Sequence, residues 1–213
     1  MNIIVFGARG DVGSRIVSEA LARNHSVTAV VRNEAQVESL PTSVTGRVAD
    51  VTNTKQVSEL IASHDVAISA LRPPEGQEEI LSDLTQAVLT ASAQTGVRII
   101  VVGGAASLKV PGLNGHTVLT APGFLPDEVV PIAKACQSQF ELCIADNEAD
   151  WTYLCPPAML TPGERTGQYR TGTDTLVVDA DGNAAIAMED FAVAMIDEAE
   201  TPQHRRERFT VAY

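Results

Sequence analysis

Cysteine is scarce, three residues in 213, which is too few for a disulfide framework. Cys136 and Cys143 fall on one predicted helix. Seven residues at about 1.5 Å rise place them about 10 Å apart, beyond disulfide reach. Reduced core thiols are the expectation, Cys155 included. The four histidines stand without paired spacing and give no metal signature. No apolar run approaches about 18 residues, so the hydrophobic content belongs to a globular core and not to a membrane span. A basic-then-apolar leader with a cleavage site is also missing, and residues 3–6 read as a core strand, so the expected location is cytoplasmic. Positive charge is short: 15 Lys and Arg against 27 Asp and Glu leave a net charge of −12. That balance excludes nucleic acid as the main partner, because phosphate backbones need a basic field. It leaves room for a local cationic site taking one phosphorylated ligand.

What the chain does have is alternation. Strand-like apolar runs ("NIIVFG", "SVTAVVR", "VTGRVAD", "DVAISAL", "RIIVVGG") alternate with helix-like stretches, among them "DVGSRIVSEALARN", residues 34–40, "NTKQVSELIAS" capped by Asn53, and residues 78–95. Continuous Val/Ile strands belong in a parallel sheet covered on both faces. The expected fold is α/β, a Rossmann-like doubly wound parallel sheet in order 3-2-1-4-5-6. One unit spans residues 1–213, with a core over about 1–150 and a small C-terminal substrate lobe over about 151–213. Residues 103–126 are rich in Gly and Pro and poor in periodicity, as lids and binding loops are. A helix over 127–146, the strand "WTYLCPP", a hairpin around Asp181 and Gly182, a helix over 189–199 and a closing strand "RFTVAY" complete the reading.

The glycines at 7, 10 and 13 of "VFGARGDVG" lie between the first strand and the first helix. Gly7 is suited to positive φ at the turn, Gly10 to close approach of a pyrophosphate, and Gly13 to close packing of helix on strand. The helix N-terminus at Asp11 and Val12 offers N–H groups and partial positive charge to phosphates. The alternative is a tight turn without ligand. The second strand ends in Arg32 and carries no acid to hold a ribose 2′-OH. Arg9 in the loop and Arg32 therefore form a candidate clamp for a 2′-phosphate, which predicts NADP(H) over NAD(H). Otherwise both arginines are solvated surface residues.

"FGARGDVG", "VVR", "AD" at 49–50, "SAL" at 69–71 and "GGAASL" at 103–108, with "DWTYLCPPAMLTPGERTGQYR" and "VDADGNAAIAMEDFAVAMIDE", resemble the atypical short-chain dehydrogenase/reductase family. Within it the chain is similar to the NADH-flavin reductase group, relatives of flavin and biliverdin reductases and of NmrA-like proteins. The resemblance implies that Asp50 and Val51 border the adenine, and that Ser69, Ala70 and Leu71 pass the riboses. It places Gly103, Gly104 and Ser107 near the nicotinamide, with Pro156 and Pro157 on its far side. Arg9 departs from the group, where threonine is common.

The larger family reduces carbonyls with a Tyr-x-x-x-Lys pair. The corresponding stretch has Val130 four residues before Lys134, so the lysine lacks its tyrosine. Tyr153, Tyr169 and Tyr213 stand elsewhere. The histidine that biliverdin-type relatives carry after the two prolines is replaced by Ala158, which leaves His116 as the one histidine able to enter from the loop. His25 and His64 are expected in surface turns. Hydride transfer to a flavin or quinone asks less: a placed nicotinamide, an apolar slot and a few hydrogen bonds. Phe124, Pro157 and Met159 are candidate slot residues, and Ser107 is a candidate hydrogen-bond donor or else a turn cap. The expected function is an NADPH-dependent reductase with a small-molecule acceptor, FMN or FAD among the candidates. A non-catalytic dinucleotide sensor is the alternative. A monomer and a homodimer are both compatible with the acidic surface.

Overall fold

The computed structural model describes residues 1–213. Strands β1 (Asn2–Phe6), β2 (Ser26–Val31), β3 (Val44–Val48), β4 (Val66–Ser69), β5 (Arg98–Val102) and β6 (Trp151–Cys155) alternate with helices α1 (Asp11–Ala22), α2 (Glu34–Glu38), α3 (Thr54–Ile61), α4 (Ile80–Thr95) and α5 (Val130–Ala145). Short strands β7 (Met159–Thr161), β8 (Arg170–Gly172) and β9 (Ala185–Ala187) follow, then α6 (Met188–Glu200) and β10 (Glu207–Ala212). The main sheet runs 3-2-1-4-5-6-10-8, all parallel except the β10–β8 pair. Its first six positions are the expected doubly wound order. α3 begins where expected, with the Asn53 side chain accepting from Gln56 N.

Alternate residues of each strand feed two cores, which is why the strands read as unbroken apolar runs. Ile4 and Phe6 of β1 belong to the core beneath α3, α4 and α5, with Phe140 and Tyr153. Ile3 and Val5 belong to the opposite core beneath α1 and α6, with Ile16, Phe191 and Phe209. All nine of these side chains are buried. The C-terminal portion therefore contributes in two ways. β6, α6 and β10 extend the sheet and its second layer, while residues 156–187 lie against the far edge, where β7 and β9 pair in parallel.

The hairpin around Asp181 and Gly182 is not formed. Residues 179–183 do make a tight turn, with Gly182 at φ 85° and its N–H donating to the Asp179 carbonyl at 3.1 Å. The strands on either side pair elsewhere, β8 with β10 and β9 with β7. The local turn chemistry holds, but long-range pairing decides the partners.

The two turn histidines are also more constrained than surface residues. His64 donates from Nδ1 to the Leu60 carbonyl and accepts at Nε2 from Thr28 Oγ1, both at 2.9 Å. Burial pushes its pKa down. His25 contacts Glu200 through Nε2 at 2.8 Å.

The thiols of Cys136, Cys143 and Cys155 are free. Burial pushes them up to about 11, about 12 and about 12 respectively, which keeps them protonated at neutral pH; Cys143 and Cys155 are core groups and Cys136 is half-buried. No helix is long and apolar enough to cross a membrane.

Candidate functional site

The carboxyl ends of β1, β4 and β5 meet at the switch point of the sheet, where the chain leaves β1 for one side and β4 for the other. Gly7 turns there at φ 75°. A Cβ on Gly7 would lie 2.3 Å from the Ala70 carbonyl oxygen, and one on Gly13 would lie 2.1 Å from the Gly7 oxygen. Both glycines are therefore demanded by the protein's own packing. Gly10 differs: its nearest such neighbour is the Gly7 oxygen at 3.4 Å, and the residue is exposed. It caps α1 without a side-chain cap, and Asp11 and Val12 open the helix.

Pairing of Phe6 with Val30 sets Arg32 level with the glycine loop, one strand over. Among the lysines and arginines, only Arg9, Arg32, Arg72, Lys109 and Lys134 make no side-chain hydrogen bond or ion pair. Arg9, Arg32 and Arg72 all follow carboxyl ends of strands and all are exposed. In a chain this acidic, uncommitted cations gathered at one edge form a local positive region. Arg72 was absent from the sequence reading. Its signal is its place immediately after "SAL".

Asp50 is exposed and turned onto its own loop, accepting from Thr52 Oγ1 at 2.7 Å and Thr52 N at 2.9 Å. These bonds hold its carboxyl below the ordinary value. Val51 packs against the core. Ser69 is buried, and Ala70 N extends the β1–β4 ladder to the Phe6 carbonyl at 2.9 Å. Leu71 is half-buried beside them.

The pair Gly103 and Gly104 answers to Tyr153 and Cys136. A Cβ on Gly103 would sit 2.1 Å from the tyrosine ring, and one on Gly104 would sit 2.6 Å from the Cys136 Cβ. The Tyr153 hydroxyl accepts from Gly104 N at 3.1 Å and faces the Cys136 carbonyl and Gln139 Oε1 at 3.0 Å. Burial pushes its phenol well above the ordinary value. Tyr169 donates to Asp197, and Tyr213 donates to Asp190 at 2.7 Å. All three tyrosines are thus committed to structural partners, and none hydrogen-bonds Lys134.

Ser107 does not cap a turn. Its Oγ accepts from Arg208 Nη1 at 2.6 Å, a partner 101 residues away that no local pattern discloses. Phe124 and Met159 line one cavity of about 270 Å³, closed by Val110, Leu176, Val178 and Ala184 among others. Pro157 is buried and Pro156 half-buried at the end of β6, outside that lining. The sequence reading missed residues 176–184, which have no regular period. A second cavity of about 290 Å³ lies between α6 and the β8–β10 edge, and its lining includes Asp197, Glu198 and Glu200. That charge makes it a poor host for phosphates.

The loop over 103–126 is internally bonded. Val118 N donates to the Leu108 carbonyl at 2.9 Å, and Leu119 N to the Ala106 carbonyl at 3.0 Å. Lys109 N and the Leu176 N–H tie it to the 174–176 strap. His116 is exposed, and its ring makes no hydrogen bond to the site.

Residues 7–202 match the profile of the family described as NAD(P)H-binding. The uncharacterized protein YwnB of Bacillus subtilis is 34% identical over 99% of this chain and 98% of its own. A solved Bacteroides thetaiotaomicron protein provisionally called an epimerase is 36% identical, with TM-score 0.90, covering 100% of this chain and 96% of that one. A Streptococcus pneumoniae protein provisionally called an NADH-flavin reductase is 28% identical, with TM-score 0.90 and coverage of 100% and 99%. A Burkholderia pseudomallei protein provisionally described as exported is 34% identical, with TM-score 0.89 and full coverage of both chains. One fold carries all of these descriptions, so the reaction has to be argued from the site.

Proposed function

The chain belongs to the NAD(P)H-binding family, and from that premise we propose that it is an NADPH-dependent reductase of a flavin or quinone-like acceptor. The observation that carries this reading is the commitment of Tyr153, Tyr169 and Tyr213 to structural partners. A site without a tyrosine–lysine relay suits acceptors that spread the incoming negative charge and take their proton from water. The similarity to a protein provisionally named an NADH-flavin reductase supports the same class of acceptor.

When bound, the cofactor supplies a hydride. In this reading Gly7, Gly10, Asp11, Val12 and Gly13 receive its pyrophosphate through backbone N–H groups. Asp50 and Val51 border the adenine, and Ser69, Ala70 and Leu71 the riboses. Gly103, Gly104 and Pro156 flank the nicotinamide. Phe124, Met159 and the neighbouring Pro157 enclose the acceptor, with Ser107 as hydrogen-bond donor. The test is NADPH oxidation with free FMN, FAD and small quinones. Tight cofactor binding with no turnover on any of them would replace the reductase by a dinucleotide sensor.

Arg9 and Arg32 give the cofactor preference its test. Both are free of protein partners, so each can give a phosphate charged hydrogen bonds without first breaking an ion pair. NADPH is expected to bind about tenfold or more tightly than NADH, in line with one or more charge-assisted hydrogen bonds. Arg9→Ala and Arg32→Ala should each weaken NADPH binding while leaving NADH nearly unchanged. Equal losses for the two nucleotides would remove the clamp.

A further inference from the structure

The loop after β5 presents a hydroxyl whose proton is unclaimed. Ser107 Oγ takes the hydrogen bond from Arg208 Nη1 and donates to no protein group. A guanidinium has donors only, so in this contact the serine must be the acceptor and its O–H points away from Arg208. The arginine is fixed on its other sides. Its Nε and Nη2 reach Asp174 Oδ1 at 2.9 and 2.7 Å, and Nη1 also reaches the Ser107 carbonyl at 3.2 Å. Its guanidinium carbon lies 4.6 Å from the centre of the Phe140 ring. Only 13% of the Arg208 side chain is exposed. This arrangement sets the serine rotamer and, by polarising its oxygen, makes the hydroxyl a better donor.

We propose that Arg208 is a positioning residue that aims the Ser107 hydroxyl at a carbonyl oxygen or ring nitrogen of the bound acceptor. The inference rests on the reductase reading and deepens it, because it requires an acceptor with a hydrogen-bond-accepting atom beside the carbon or nitrogen that is reduced. The hydride with its electron pair leaves NADPH, which becomes NADP⁺, and the acceptor gains both electrons. The proton that completes the reduced acceptor comes from water. Ser107 keeps its own proton and Arg208 its charge, and their part is to hold and stabilise the charge that builds on the acceptor.

A double-mutant cycle with Ser107→Ala and Arg208→Met tests this, with Arg208→Lys as the conservative variant. Asp174 is mostly exposed, so losing its partner should leave the fold intact, which the thermal midpoint reports. Each single change should lower kcat for NADPH oxidation by a small quinone about tenfold, the effect of one transition-state hydrogen bond, with the NADPH Kd unchanged. Riboflavin affinity, read by fluorescence quenching without NADPH, should fall in both. The double variant should be no worse than either single, and Arg208→Lys should recover part of the loss. Multiplied losses in the double variant, or a Ser107→Ala enzyme equal to wild type, overturn the inference while the reductase reading stands. A wild-type protein that oxidises NADPH with no flavin or quinone overturns both.

Discussion

Gly10→Ala is expected to fold as the wild type does and to bind NADPH and NADH on the order of a hundredfold more weakly, as misplacing a close-contact group by about an ångström can do. The new Cβ meets only the Gly7 oxygen at 3.4 Å, an ordinary distance. Its φ of −70° suits any residue. The methyl group then projects from the exposed side of the loop, the side that the proposed reading gives to the pyrophosphate. Gly13→Ala makes the contrast. Its Cβ would press to 2.1 Å from the Gly7 oxygen and 2.9 Å from the Gly7 carbonyl carbon. Alanine gains about 1 kcal/mol of helix propensity, but overpacking against fixed backbone typically costs about 1–3 kcal/mol and here forces α1 off the loop. A net loss of up to about 2 kcal/mol should lower the thermal midpoint by up to roughly 4–8 °C in a protein of this size. Thermal unfolding together with nucleotide titration of the two variants separates the roles. A Gly10→Ala protein that binds nucleotide normally would show that the loop only turns a corner.

The glycine loop shows why so much of this site is legible in the sequence. Each requirement is local: positive φ at Gly7, close packing of helix on strand at Gly13, and a helix that must begin at Asp11. The sheet is legible for a related reason. A strand buried on both faces has to be apolar at every position, as residues 3–6 are, and that leaves a mark without any knowledge of neighbours. Asn53 as a cap is local in the same way.

What escaped the sequence is what depends on distant partners. Ser107 and Arg208 meet across 101 residues, and Arg208 looks like any charged residue in a terminal strand. The turn over 179–183 has the composition of a hairpin, yet β10 offers β8 a longer partner and takes it into the main sheet. Leu176, Val178 and Ala184 line the apolar cavity from a stretch with no periodicity, because their placement follows from the 109–176 tie and not from regular structure. Tyr153 is legible as part of the strand "WTYLCPP", but its duty in shaping the Gly103–Gly104 turn is not.

Arg98→Met is expected to cost about 3–5 kcal/mol at neutral pH, the cost of breaking a buried ion pair from one side. Arg98 starts β5 and is only 6% exposed. It pairs with the Glu198 carboxylate, reaches Thr152 Oγ1 at 2.6 Å, and donates to the Glu198 carbonyl at 2.8 Å, so it fastens α6 to the sheet. Its Nε is buried without a partner, so part of the desolvation cost disappears with the side chain and the loss should sit near the lower end of that range. Glu198 is left with donors from Gln203 N, His204 N and His204 Nδ1, at 3.0, 3.0 and 2.8 Å. In the wild type, burial pushes the Glu198 carboxyl up, but its hydrogen bonds with His204 and Arg98 outweigh burial and hold it below the ordinary value. A depressed carboxyl contributes stability that is present above its unfolded value, near 4.5, and is lost as pH falls through the folded one. Removing Arg98 raises the folded value toward or past the unfolded one. Part of the wild type's advantage over the variant is therefore carried by the Glu198 charge and disappears as that carboxyl is protonated. Urea unfolding measured at neutral pH and again near pH 4, below the unfolded value, should show the gap between the two proteins narrowing as pH falls. An equal gap at both values would mean that Arg98 acts through packing alone and that the Glu198 charge is held by the 203–204 backbone.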